Sequence, residues 1–325
     1  MAKSRKLEET LSVLAQIREN PVDEQAIATL RQTLKSKYSV AVARTAKIIG
    51  ELGIANSIPD LVAAFERMMV KPAETDPGCL AKKEIAETLY RFEYGEESLF
   101  LQGIHHIQME PVWGGQEDTA AVLRGVCALG LVRMNYPDVM NELADLLADP
   151  KPEARVAAAR AIAYTANPQG VPLLRLKVRM GDKAPSVLSE CFTALLQLAP
   201  VQSLPLIASF LVNSEEQVCE LAALALGESR LNEAFLILKN WWERTINAQL
   251  RRTGLLAIAM LRQDSALEFL LSLIQEGKSV DAKDAIASLS IYRENTELWQ
   301  RVEQTVQTRG DDAILRYYAL NSYPK

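Results

Sequence analysis

The side chains of this 325-residue chain that could do chemistry are few, and most lie in one stretch. Its only two histidines, His105 and His106, stand together in GIHHIQMEPVWGGQED (103–118), with Glu110, Trp113 and the Gly114–Gly115 pair close behind. Imidazoles titrate near neutrality and hydrogen-bond in either direction. Trp113 offers a large flat apolar surface, and the glycines let a second backbone come close. Neighbouring residues on a helix point about 100° apart, so the two histidines could not both face one metal ion from a helix. No GxSxG, HExxH, GxxxxGK(S/T) or GxGxxG segment occurs, and a nucleophile elsewhere would lack a second candidate base. The expectation is a non-enzyme with no cofactor and no metal. Its 103–118 segment either contacts a partner or folds back, with Trp113 plugging a gap and the glycines serving as turn residues.

Two further groups are candidates for contact. Trp241 and Trp242 diverge by about 100° on a helix, so one ring filling the core leaves the other at its margin, where Lys239, Glu243 and Arg244 could help hold a peptide. Arg124, with Arg44 and Arg91, could face an acidic partner, although ion pairing between neighbouring segments explains these arginines as well. Of the four cysteines, Cys127, Cys191 and Cys219 sit among small apolar residues and read as buried, inert thiols. Cys79 follows a loop and opens a helix, and its reactivity would require a depressed pKa.

What must position these groups is a recurring helical block. Taking Gly50, Tyr90, Gly130, Ala163, Leu196, Gly227, Ala259 and Ser290 as marks, the spacings are 40, 40, 33, 33, 31, 32 and 31. One residue before the mark stand Ile49, Leu89, Leu129, Ile162, Leu195, Leu226, Ile258 and Leu289. Four before it are Ala46, Ala86, Val126, Ala159, Phe192, Ala223, Leu255 and Ile286. Five before it the residue is small in seven of the eight blocks, Gly125 and Gly254 included. These offsets trace one helix face. A glycine there costs about 1 kcal/mol against alanine, which points to close helix approach. After each mark come a short turn and a second apolar segment, with Pro59, Pro137, Pro172 and Pro205 near the start of four of them. One such pair cannot bury both faces alone, so neighbouring pairs must stack.

The segment KPEARVAAARAIAYTANPQGVPLLRLKVRMGD, with Pro152, Arg155, the Ala157–Ala159 run and Pro172, resembles a HEAT-type repeat, and EEQVCELAALALGESRLNEAFLILKNWW repeats its frame. CALGLVRM (127–134) and ALGESRLNEAF (225–235) are similar to stretches of free-standing bacterial HEAT-repeat proteins. The resemblance implies an all-α, right-handed α-α superhelix of about eight helix pairs. In this scheme residues 1–37 form a helical cap, 38–308 the array and 309–325 a C-terminal cap. It also implies a scaffold that holds a protein or peptide on its concave face, joined here by the 103–118 loop. The iron-binding HEAT-like hydroxylases depend on several His-Glu pairs, and this chain has none. A bilin lyase-like or chaperone-like role on chromophore proteins is the first alternative, because those lyases are HEAT-like too.

Nucleic-acid binding, the second alternative, is disfavoured by a net charge of −5. Lys3, Arg5, Lys6, Arg31, Lys35 and Lys37 make the N-terminal region basic, and Arg251–Arg252 and Arg175–Lys177–Arg179 form short clusters elsewhere. No run of apolar residues is long enough to span a membrane, and the charged, amphipathic start is unlike a secretory signal. A cytoplasmic location without membrane partners is therefore expected. The two 40-residue spacings mark insertions at 68–79 and 103–118, and long loops in a compact array are more often functional than connective.

Overall fold

The computed structural model describes residues 2–19 and 23–322, with side chains from residue 7 to residue 320, so the side chains of Lys3, Arg5 and Lys6 lie outside the described residues. The fold is an all-α array of stacked helix pairs in two compact units, Met1–Ala166 and Asn167–Lys325.

In the first unit α1 (Ala2–Glu19) and α2 (Glu24–Leu34) precede the pair α3 (Ser39–Glu51) and α4 (Ile58–Met69). A short α5 (Pro72–Thr75) leads to α6 (Leu80–Arg91) and α7 (Glu97–Ile104). The hairpin of β1 (Met109–Val112) and β2 (Gly115–Asp118) comes next, then α8 (Ala121–Arg133), α9 (Val139–Leu147) and α10 (Pro152–Tyr164). The first helices of successive pairs stack in order, α3 on α6, α6 on α8 and α8 on α10, while α1 packs on α3 and α2 on α3 and α4.

The second unit contains α11 (Gly170–Met180), α12 (Pro185–Leu198), α13 (Pro200–Ala208), α14 (Glu216–Ser229), α15 (Asn232–Arg244) and α16 (Ala248–Met260). It ends with α17 (Asp264–Glu276), α18 (Ser279–Leu289), α19 (Thr296–Arg309) and α20 (Asp312–Ser322). Here α12, α14, α16, α18 and α20 form the row of stacked helices.

The repeat frame accounts for the core. All eight residues five before the marks are buried, and so are those at offsets four and one, except in the third block, where Val126 and Leu129 are half-buried. There Leu123, Cys127, Ala128 and Leu131 take the core instead, so α8 sits about one residue out of phase with the alignment, immediately after the longest insertion. Pro205 also departs from expectation. It lies inside α13 rather than in its first turn, so the Val201 carbonyl lacks its N–H partner there, at a residue that is 80% exposed.

Close helix approach at the small positions is real. A Cβ added at Gly125 would lie 2.5 Å from the Ala157 Cβ of α10, and one at Gly254 would meet the Trp242 and Trp241 rings at 3.2 and 3.3 Å. Gly125→Leu is expected to lower the stability of the first unit by about 1–3 kcal/mol through overpacking. A urea melt superimposable on that of the parent protein would contradict the packing of α8 on α10.

A second recurring position lies eight residues before the mark. Lys82, Arg155, Cys219 and Arg251 all occupy it, and each donates to carbonyls of the preceding turn: Lys82 to Met68, Arg155 to Asp149 and Pro150, Cys219 to Asn213, Arg251 to Trp242 and Thr245. Carbonyls left open where a second helix ends are thus satisfied by the first turns of the next helix.

Candidate functional site

The two insertions form one polar assembly in the first unit. Asp76 lies near the end of the first insertion, and its side chain is fully buried. Its carboxylate accepts the Ala81 and Lys82 backbone N–H groups at 2.9 and 3.0 Å, occupying donors that the start of α6 would otherwise leave free. The Lys82 ammonium, also fully buried, lies 3.1 Å from the same carboxylate and 3.3 Å from the Met68 carbonyl.

Gln108 joins this pair to the hairpin. It is 2% exposed, and its Nε2 donates to the Asp76 carbonyl at 2.8 Å and to Glu110 Oε1 at 2.5 Å. Its Oε1 lies 3.2 Å from His106 Nε2, and its backbone accepts the Thr119 N–H at 3.0 Å. Glu110 Oε1 also takes the Gly78 N–H at 2.7 Å and the Thr119 hydroxyl at 2.9 Å. Burial raises the Glu110 carboxyl, but these donors more than offset it and hold the group below its usual range.

Arg124 closes the other side. Its guanidinium reaches Asp118 at 2.7 Å and Asp149 at 2.8 Å and donates to the His106 carbonyl at 2.9 Å. Burial pushes the Asp118 carboxyl up, while Arg124 and the Ala120 and Gln108 N–H groups bring it below the ordinary value. His106 is held below the usual imidazole range mainly by burial, with Lys82 and Arg124 adding to the effect and Gln108 and Asp118 opposing it. At neutral pH it is the uncharged ring that fits this site.

The hairpin so anchored is a ladder from Met109–Asp118 to Val112–Gly115, with Gly114 at φ 90° in the turn. Trp113, at its tip, is fully exposed, and Ile107, Met109 and Val112 are 65, 47 and 46% exposed. The segment expected as a loop is therefore a β-hairpin, and Trp113 does not fold back into the gap. The inward-facing polar residues do the plugging.

The remaining candidates separate into displayed and buried groups. His105 is exposed and pairs with Glu142 of α9 at 2.6 Å. Arg124 cannot meet a partner, because its side chain is 4% exposed and all its bonds are internal. Trp241 and Trp242 are both core residues, 9 and 6% exposed. Gly254 leaves room for both rings, and Trp242 packs against Phe269 and under the Arg251 guanidinium. The margin position expected for one of them does not exist. Cys79 is buried, and burial lifts its thiol to about 12, which removes it as a nucleophile. Cys127, Cys191 and Cys219 are buried as expected. The basic clusters are partly neutralised, with Arg251 on Asp281, Arg252 on Asp284 and Lys177 on Asp182. No helix is long and apolar enough to cross a membrane, and no cluster of metal-ligating side chains occurs, among the described residues.

No family model matches the sequence, and no curated protein matches it significantly. Among solved structures the chain is similar to the complex of CpcE and CpcF of phycocyanin lyase from a Nostoc species, at 16% identity and a TM-score of 0.38 over 70% of this chain and 89% of that one. It is also similar to an engineered protein (16% identity, TM-score 0.37, 95% and 92% covered) and to human deoxyhypusine hydroxylase in complex with glycerol (17%, 0.32, 83% and 97%). Identities and TM-scores this low transfer no activity to this chain.

Sequence reasoning missed Asp76, Lys82, Gln108, Thr119 and Asp149. A usable signal was present only for Lys82, which shares its repeat offset with Arg155 and Arg251. Asp76 and Gln108 belong to the insertions and Thr119 adjoins one, where no repeat frame exists to show which side chains point inward, and Asp149 stands in the turn between α9 and α10.

Proposed function

We propose that this protein is a non-catalytic, protein-binding scaffold that presents the 109–118 hairpin to its partner, with Trp113 as the anchor. One observation carries the reading: a fully exposed tryptophan stands at the tip of a hairpin whose base is held by buried, mutually satisfied polar groups. An exposed indole is costly to keep in water, and a rigid mount lowers the ordering cost of burying it in a partner. His105, exposed and paired with Glu142, lies before the base of the hairpin rather than at its tip, so it is not part of the anchor. A bilin lyase-like role has no comparable feature in its favour. Nucleic-acid binding is weakened by the pairing of Arg251, Arg252 and Lys177 with acids.

Trp113→Ala tests the proposal. An anchor tryptophan contributes about 2–4 kcal/mol, so capture of the specific partner in quantitative affinity purification from cells that make the protein should fall about 30-fold or more. Stability should change by no more than about 0.5 kcal/mol, as for an exposed side chain. An unchanged set and yield of captured proteins would overturn the reading.

A further inference from the structure

Three cations stand along α3 without a counter-charge. Arg44 and Lys47, one turn apart on that helix, are exposed, and neither has a hydrogen-bond or ion-pair partner among the described residues. Arg91, at the end of α6, is exposed and unpaired as well, and its guanidinium lies 3.5 Å from where a Cβ on Gly50 would stand. The charges therefore follow one another at positions 44, 47 and 50 of α3, about 4.5 Å of helix rise apart.

The neighbouring carboxylates are already engaged. Lys83 holds Glu84 at 3.0 Å and Glu87 at 3.4 Å, and Arg18 holds Glu51 at 2.9 Å. On a chain with a net charge of −5, this file is a local positive site that attracts an anion.

An open pocket adjoins the first two of these cations. It has a volume of about 490 Å³ and is lined by Leu11 of α1, by Val40, Ala43, Arg44 and Lys47 of α3, and by Glu84 of α6. Val40 is 44% exposed and Leu11 half-buried, so the aliphatic lining is in contact with water.

Charge and lining together select the occupant. A single-stranded nucleic acid would find phosphate contacts but no stacking platform, because no aromatic side chain lines the pocket. A free inorganic anion would leave Leu11 and Val40 in water. Three cations also fall short of the cluster of about four to eight that holds an anionic bilayer. From residue 44 to residue 50 the helix rises about 9 Å, which an extended chain covers with about three residues.

We infer that this face of α1, α3 and α6 binds a short acidic segment of a partner protein. An aliphatic side chain of that segment seats against Leu11 and Val40, and two or three Asp or Glu residues beside it run from Arg44 past Lys47 to Arg91. The site uses no residue of the hairpin and does not rest on the role of Trp113.

Selection of random peptides displayed on phage, with the full-length protein as bait, tests the inference. The expected result is a consensus with one aliphatic residue and at least two acidic residues among the three positions on one side of it. A fluorescent synthetic peptide of that consensus should bind in an anisotropy titration, more weakly as salt rises from about 50 to about 500 mM. Arg44→Glu and Lys47→Glu should each lower its affinity about tenfold or more, as should serine in place of the peptide's aliphatic residue. Trp113→Ala should leave the affinity unchanged. Thermal melts verify the fold of each variant, and one that melts early is replaced by its glutamine counterpart. A consensus without acidic residues, no selected peptide, or binding that survives both charge changes would each overturn the inference. Tighter binding of a single-stranded oligonucleotide or of phosphatidylserine vesicles than of the peptide would do the same.

Discussion

Lys82→Met is expected to destabilise the first unit by about 3–5 kcal/mol, the cost of leaving one member of a buried ion pair alone. Both side chains of the pair are completely excluded from solvent. Without the ammonium, the Asp76 carboxylate retains two backbone N–H donors and no counter-charge, while the Met68 carbonyl keeps only the Thr75 hydroxyl, at 3.1 Å. The damage should travel to the hairpin, because the Asp76 carbonyl holds Gln108 and Gln108 holds Glu110. In a repeat array stability is a sum of local terms, so the readout must be local. Hydrogen exchange should accelerate in α6 and in 109–118, with the second unit unchanged. The double variant Lys82→Met/Asp76→Ser removes the stranded charge and keeps a side-chain oxygen for the start of α6, so it should recover much of the loss. A single variant that melts and exchanges like the parent would show that the pair is not sequestered.

The same network explains how far the sequence could be read. The helix pairs were legible because burial repeats: small residues five before seven of the eight marks and apolar ones at four and one before every mark report one helix face. The frame faltered in the third block, where Val126 and Leu129 turn half outward and Arg124 turns in to meet Asp118 and Asp149. A buried arginine looks the same in sequence as an exposed one, since burial is decided by two carboxylates, one in the insertion and one 25 residues downstream. Trp241 and Trp242 misled for a related reason. Two adjacent bulky rings would normally put one outside, but Gly254 gives up the volume that lets both stay in. The hairpin had no frame at all. Its glycines and Pro111 were visible, and Glu110 read as a contact residue, yet it bonds Gly78 across 32 residues of chain.

Gly227→Ala is expected to destabilise the second unit even though it improves helix propensity by about 1 kcal/mol. The added Cβ on α14 would lie 2.4 Å from the Ala257 carbonyl oxygen and 2.8 Å from the Ala257 Cα of α16. Both are main-chain atoms in the middle of a packed helix, so no rotamer change can relieve the clash. Either α14 and α16 separate, opening voids along their contact, or the backbone bends, and overpacking of this kind typically costs about 1–3 kcal/mol and occasionally more. Gly254→Ala is the matched control. It carries the same gain in propensity, but its Cβ would meet only the Trp242 and Trp241 side chains, at 3.2 and 3.3 Å, and rings can yield by a few tenths of an ångström. The two variants should therefore differ in sign or nearly so, with Gly254→Ala close to neutral and Gly227→Ala clearly destabilised in denaturant melts. The second unit would unfold first in Gly227→Ala, which hydrogen exchange along α14 and α16 would register. Equal stability of the two variants would mean that the α14–α16 approach is looser than the Gly227 geometry requires.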